Sequence, residues 1–275
     1  MKRKSVFYLF LLACFLQVSA QKTGLQSFSM KHGENYTYDV QYKWGLFMTT
    51  AGEAAFTYKQ DNSISGAVSK LNVNYKSVGI FDGIFKMRDT LTGYYNERNM
   101  LIYSYQSTND GSYKAIEKYN FKYESNKTFV HSWRYRPTRD TVTVDTTLTA
   151  VGMVSDMLSV FHFLRGINRN MLQSGDLFPI TVAVGKDLVK VQLVYQNQSI
   201  VDRGSVKYNT RHFLIDIFDD AFENKKAAAE VWVGDDDNFL PIKLRTKLKI
   251  GYIEIYYKSS AGLAHPFNSR IENKK

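Results

Sequence analysis

The feature that most constrains this chain is a period-two alternation of apolar and polar side chains, broken again and again by Asn, Asp and Gly. A period of two is that of a β-strand, whose successive side chains point to opposite faces, and the interruptions are residues that turns favour. Tyr36, Tyr38, Val40 and Tyr42 share one face of a first strand, opposite Thr37, Asp39, Gln41 and Lys43. Ala54, Phe56 and Tyr58 lie opposite Ala55, Thr57 and Lys59 in a second. The same reading predicts strands over 68–78, 100–106, 119–123, 129–134 and 141–145, then over 178–184, 189–201, 204–216, 228–233, 242–249 and 253–258.

Turn chemistry falls between these segments at Asp61-Asn62-Ser63, Asn109-Asp110-Gly111, Ser125-Asn126-Lys127, Asp202-Arg203-Gly204 and Gly234 through Asn238. Such short connections join antiparallel neighbours, so the strands should follow one another in a meander. An open flat sheet of so many strands leaves long edges unpaired, which favours curling or closure. The fold class expected is therefore mainly β: a curled antiparallel meander or partly closed β-barrel with one amphipathic helix near mid-chain. A chain with 44% hydrophobic residues and four prolines is globular rather than disordered or collagen-like.

That helix is read over 153–165, where Met153, Met157, Val160, Phe161 and Leu164 recur at spacings of three and four. Ser155 or Asp156 can cap its start and Gly166 its end. A curled sheet plugged by such a helix either fills its interior or encloses a cavity. Met153, Met157, Phe161 and Leu164 are the residues expected to line one.

The first residues read as an export signal. Met1-Lys2-Arg3-Lys4 is a charged start, the run from Val6 to Leu16 is apolar, and Val18-Ser19-Ala20 places small residues at a cleavage site. Cleavage after Ala20 leaves residues 21–275 as a single β-rich domain and lowers the formal net charge from +10 to +7 by removing three basic residues. Cys14 follows Leu11-Leu12-Ala13, a partial lipidation motif, but the apolar run continues through Phe15 and Leu16, so cleavage at Ala20 is the preferred reading. Cys14 is the chain's single cysteine, and its removal would leave no disulfide, zinc-thiolate site or cysteine nucleophile. No later stretch is apolar for the roughly 20 residues that a membrane-spanning helix needs.

The polar clusters read as structural. Asp235, Asp236, Asp237 and Asn238 lack the alternating ligand spacing of a calcium loop and fit an acidic hairpin tip, so no metal is expected. The stretch from His131 to Arg139 mixes rings and bases as single-strand nucleic-acid binders do. On a strand, however, His131, Trp133 and Tyr135 would pack while Arg134 and Arg136 face water, and nucleic acid is not an expected partner. Asp89-Thr90-Leu91, Asp140-Thr141-Val142 and Asp145-Thr146-Thr147 fit a short O-glycosylation pattern but read as ordinary strand or turn segments. No nucleophile elbow, metalloprotease helix or phosphate loop is found, so no catalytic residue and no cofactor is assigned.

Several motifs occur in a telling order: Tyr36-Thr37-Tyr38-Asp39-Val40, Thr50-Ala51-Gly52-Glu53-Ala54, Asp156-Met157-Leu158-Ser159 with Phe163-Leu164-Arg165, Val231-Trp232-Val233 with Asp235-Asp236-Asp237, Leu240-Pro241-Ile242 and Gly251-Tyr252-Ile253. In this order they resemble an exported bacterial family, the domain of unknown function 3108, of the Bacteroidota type. The resemblance covers nearly all of the chain after residue 20 and departs from the family at a polar tail from Gly262 to Lys275. It implies a β-rich envelope protein, periplasmic or outer-membrane associated. The family-motif residues Asp156, Ser159, Arg165, Trp232, Pro241 and Gly251 read as structural. Asp156 and Arg165 complement the helix dipole, and Arg165 lies nine residues on from Asp156, too far for a compact catalytic triad with Ser159.

The function expected is that of a non-catalytic envelope protein that binds a hydrophobic molecule or lipid in its barrel. The alternatives are a module that contacts envelope proteins or glycans, and a hydrolase, which a cleft gathering His162, Asp156 and another titratable group would support. A continuous apolar cavity of several hundred Å³ beside the helix would favour the first reading, and a packed interior would sink it.

Overall fold

The computed structural model describes residues 30–45, 47–218, 225–248 and 251–271. The expected export segment, with Cys14, lies outside them. Eight strands come first: β1 (Glu34–Trp44), β2 (Phe47–Gln60), β3 (Ser69–Ser77), β4 (Arg88–Tyr95), β5 (Leu101–Asp110), β6 (Tyr113–Glu124), β7 (Lys127–Arg136) and β8 (Thr141–Val151). Helix α1 (Gly79–Ile84) joins β3 to β4. After β9 (Val154–Ser155) comes α2 (Ser159–Arg165), and then β10 (Leu177–Val184), β11 (Asp187–Arg203), β12 (Val206–Phe218), β13 (Lys225–Gly234), β14 (Pro241–Lys247), β15 (Tyr252–Ala261) and β16 (Arg270–Ile271).

Each run is a meander, and β1 pairs antiparallel with β15 to join the two into one sheet ordered β8 through β1, then β15 down to β9. Strand β9 pairs parallel with β10, and β16 adds to β12. The sheet curls into a nearly closed barrel, as the alternation predicts. Its seam lies between β8 and the β9–β10 edge, where no ladder forms. Side chains bridge it instead. Ser132 Oγ donates to the Gly185 carbonyl at 2.5 Å, and Gly185 N donates to Tyr119 Oη at 2.8 Å. The β10–β11 turn thus rests against inward-facing residues of β6 and β7, so the two ends of the sheet overlap.

Burial grades along the barrel axis. At the end that carries Glu34 and the β13–β14 turn, the inward residues Tyr36, Leu71, Tyr95, Phe213, Leu240 and Ile242 are essentially inaccessible. Further along the same strands or their neighbours, toward α1 and the β14–β15 turn, Tyr75, Leu91, Ile215 and Leu244 are only half-buried. The barrel is filled at one end and hollow toward the other.

Three expectations need correction. The helix begins at Ser159 rather than Met153, because Val154 and Ser155 pair with Thr181 and Val182 of β10 and take the preceding residues out of helical geometry. Strand β4 falls in a gap of the strand reading. Finally, Arg134 faces inward, paired with the buried Glu117 at 3.0 Å, while Trp133 and Tyr135 stack on the outer side with ring centroids 5.9 Å apart. A buried carboxylate on the neighbouring strand decides that orientation, against the expectation that the guanidinium would face water.

Candidate functional site

Helix α2 crosses the barrel interior with its polarity inverted relative to a surface helix. Asp156, just ahead of the helix, and Ser159, His162 and Arg165 recur every three residues, so each neighbours the next along a row inclined to the axis, and all four are buried. Asp156 Oδ1 accepts from Ser159 N at 2.7 Å and caps the first turn. The Ser159 hydroxyl meets the Tyr95 hydroxyl at 2.8 Å. The His162 ring stacks on Tyr95 with centroids 4.2 Å apart and planes 11° from parallel. At the far end of the helix, Arg165 Nη1 lies 2.6 Å from Glu34 Oε2, and its Nε donates to the Asn238 carbonyl at 2.8 Å. The polar stripe thereby ties the helix to β1, β4 and the β13–β14 turn.

The electrostatics follow from this burial. Desolvation pushes His162 down to about 3, and the positive charge of Arg165 acts in the same direction, so its imidazole is neutral. Desolvation also raises the Asp156 carboxyl, against the hydrogen bonds from Ser159 that favour its charged form. Arg165 stays charged beside Glu34.

With the polar stripe fixed to the wall, the opposite side of α2 faces the hollow. Met157, Val160, Phe161 and Leu164, at helical spacing, roof a pocket of about 310 Å³. Its walls are apolar residues of both meanders, among them Tyr38 and Phe56 from β1 and β2, Val73 and Leu91 from β3 and β4, and Leu193, Val231 and Ile255 from the second run. Phe161 stacks on Phe56 at 4.8 Å and on Tyr36 at 5.5 Å, which sets the inner limit of the space. Met157 is 60% exposed and stands where the pocket meets solvent.

Of the four residues expected to line a cavity, Met157, Phe161 and Leu164 do so, while Met153 lies exposed ahead of β9 and outside the lining. The strand contributors Tyr38 and Phe56 were legible as inward residues from the alternation, although nothing in the sequence joined them to the helix. Leu91 had no such signal. Trp232 sits on the outer face of β13, stacked on His212 at 4.5 Å with Lys243 over its ring at 5.1 Å. Pro241 opens β14, buried, and Gly251 turns the chain into β15 with a φ of +77°.

The acidic tip is bound up in the fold. Asp235 pairs with Arg211 at 3.0 Å and with Arg169 at 3.4 Å, and Asp237 pairs with Arg169 at 2.8 Å. Asp236 accepts from the backbone of Asn238 at 3.0 Å and of Ser269 at 2.9 Å. Among the described residues no group of three or more His, Cys, Asp or Glu is placed to hold a metal ion, and no helix is long and apolar enough to cross a membrane.

No curated protein matches the chain. Among solved structures, a β-barrel-like protein of the domain of unknown function DUF1849 from Brucella abortus is similar over 85% of this chain and 98% of its own, at 12% identity and a TM-score of 0.57. That likeness shows the barrel-like fold. A Bacteroides fragilis protein of YmcC-like fold aligns over 86% of this chain and 98% of its own at 7% identity, with a TM-score of 0.33 that is too slight to bear on the fold. Residues 37–258, nearly the whole barrel, match the family described as "Protein of unknown function (DUF3108)", and the chain belongs to that family.

Proposed function

We propose that the protein is a non-catalytic binder of a hydrophobic molecule, a lipid or its acyl chain, held in the barrel under α2. The carrying observation is the pocket of about 310 Å³ itself, walled by apolar side chains. Its size lies at the lower end of the roughly 300–1,000 Å³ usual for ligand sites. A helix that spends its polar groups on the barrel wall and turns its apolar side to the hollow leaves Lys243 and the Tyr38 hydroxyl as the polar groups in an otherwise apolar lining. The Ser159 hydroxyl engaged with Tyr95 and the Asp156 carboxylate engaged with the first turn of α2 favour a structural role for these groups over a hydrolase. The export segment read in residues 1–20 supports a place in the periplasm or at the outer membrane, where acyl chains need a sheltered passage.

The test is direct. Protein purified without detergent should release lipid in an organic extract analysed by mass spectrometry, and it should take up a fluorescent fatty acid in solution. Leu91→Trp, which places an indole in the half-buried wall, should weaken that uptake by about tenfold by filling the space. Empty extracts together with uptake unchanged in Leu91→Trp would sink the reading.

A further inference from the structure

The hollow end of the barrel carries an apolar projection that the pocket does not use. Ile80 and Ile84 of α1 are 74% and 77% exposed, and Phe85 and Met48 beside them are about half-exposed. The base of this helix is clamped. Asp82 accepts from Arg88 at 2.6 and 3.1 Å and from Ser77 Oγ at 2.6 Å, and Phe81 packs edge-on to the inward-facing Tyr42 with centroids 6.0 Å apart. One aromatic ring is thus turned in over the barrel rim while the two isoleucines are held out, so their exposure is built into the fold.

The surroundings of α1 are basic. Lys86 lies two residues past its end; the Lys86 carbonyl accepts from Gly111 N at 2.8 Å, which joins the α1 loop to the β5–β6 turn. Next along the rim come Lys114 and Arg136, whose guanidinium lies 3.8 Å over the Tyr113 ring and donates to the Lys114 carbonyl. Arg139 stands in the β7–β8 turn, and on the other side Lys43 and Lys247 flank the same end of β1 and β14. The acids of these turns are Asp82, engaged by Arg88, Asp140, engaged by Tyr135 at 2.6 Å, and Asp110, which lies against Asp89 with its carboxyl pushed up to about 6 by burial. Apolar side chains ringed by cations are the complement of a bilayer interface with anionic headgroups.

We propose that this rim seats the protein on an anionic lipid bilayer, with Ile80 and Ile84 entering the headgroup region and the open end of the barrel turned to the membrane. This deepens the pocket reading by naming where a lipid would enter and leave, and it is tested separately from it.

The measurement is cosedimentation of the purified protein with phosphatidylglycerol-containing vesicles and with pure phosphatidylcholine vesicles. Binding is expected to the first, to fall in high salt, and to drop about tenfold or more in the double variant Ile80→Ser/Ile84→Ser. The same variant should take up the fluorescent fatty acid in solution as the unaltered protein does, which shows that it folds and keeps the two readings apart. Lost uptake in the unaltered protein with vesicle binding intact would count against the pocket and for the docking rim. Equal binding to both vesicle types, or unchanged binding by the double variant, would overturn the proposal. So would a self-associated species in sedimentation velocity that the double variant abolishes while vesicles recruit neither protein, since the face would then belong to a second copy of the chain.

Discussion

Glu34 and Arg165, 131 residues apart, form an ion pair of 2.6 Å in which both side chains are wholly buried. Neither partner is satisfied by the other alone. Glu34 Oε1 accepts from the backbone of Lys31 at 3.0 Å and of Ala264 at 3.1 Å, while Arg165 also holds the Asn238 carbonyl. The start of β1, the end of α2, the acidic β13–β14 turn and the segment after β15 therefore meet at one knot, which closes the filled end of the barrel.

Removing one partner strands the other charge without solvent. Arg165→Met or Glu34→Gln should each cost about 3–5 kcal/mol of stability, read as a lower midpoint in urea unfolding. Changing both should cost clearly less than the two single losses added together, because neither charge is then left alone. A double variant as unstable as that sum would mean that the pair is not coupled.

The seam offers a second test. Tyr119 donates to Glu117 Oε2 at 2.5 Å and accepts from Gly185 N, so Tyr119→Phe leaves a buried amide and a buried carboxylate each short of a partner. The expected cost is about 1–3 kcal/mol. Hydrogen exchange should quicken at the β10–β11 turn around Gly185 before it quickens in β1 or β15; a uniform rise across the sheet would show that the turn is not the local closure.

Acid should weaken the protein through His162. Its native value of about 3 lies below the ordinary 6.5, so the unfolded chain takes up the proton first. The stability that this group contributes is complete above pH 6.5 and is lost progressively as pH falls toward 3. By pH 4.5 the loss should reach about 2 kcal/mol from this residue alone. In His162→Phe, which keeps a flat ring against Tyr95, the slope of stability between pH 6.5 and 4.5 should be visibly shallower, as thermal unfolding across the range would report.

How far all this could be read in the sequence depends on the range of the forces concerned. The inward faces of β1 and β2 are local facts, written in the alternation of Tyr36, Tyr38 and Phe56 with their polar neighbours. Strand β4 was hidden because Leu91 and Gly93 supply almost no alternation; its place is set by β3 and β5 on either side. The pairing of β1 with β15 joins segments at opposite ends of the barrel's sequence, and nothing local announces it. The helix shows both cases. Met157, Phe161 and Leu164 were legible as one apolar side, whereas the burial of Asp156, Ser159, His162 and Arg165 depends on Tyr95 and Glu34, which only the fold brings near. Read alone, Asp156, Ser159 and Arg165 are dipole and capping groups of a helix that plugs the sheet, and His162 has no role.

A barrel whose last strand bonds to its first has a girth fixed by strand number and stagger. This one is a split ring, sprung shut by the hydroxyls of Tyr119 and Ser132 on a single turn. No ladder of backbone bonds crosses the seam, so the ends are held by these hydroxyls and by the core that Ala183 and Leu188 share with Leu148 and Ala150. The girth of the ring is therefore set at one place by side-chain packing rather than by the count and stagger of its strands.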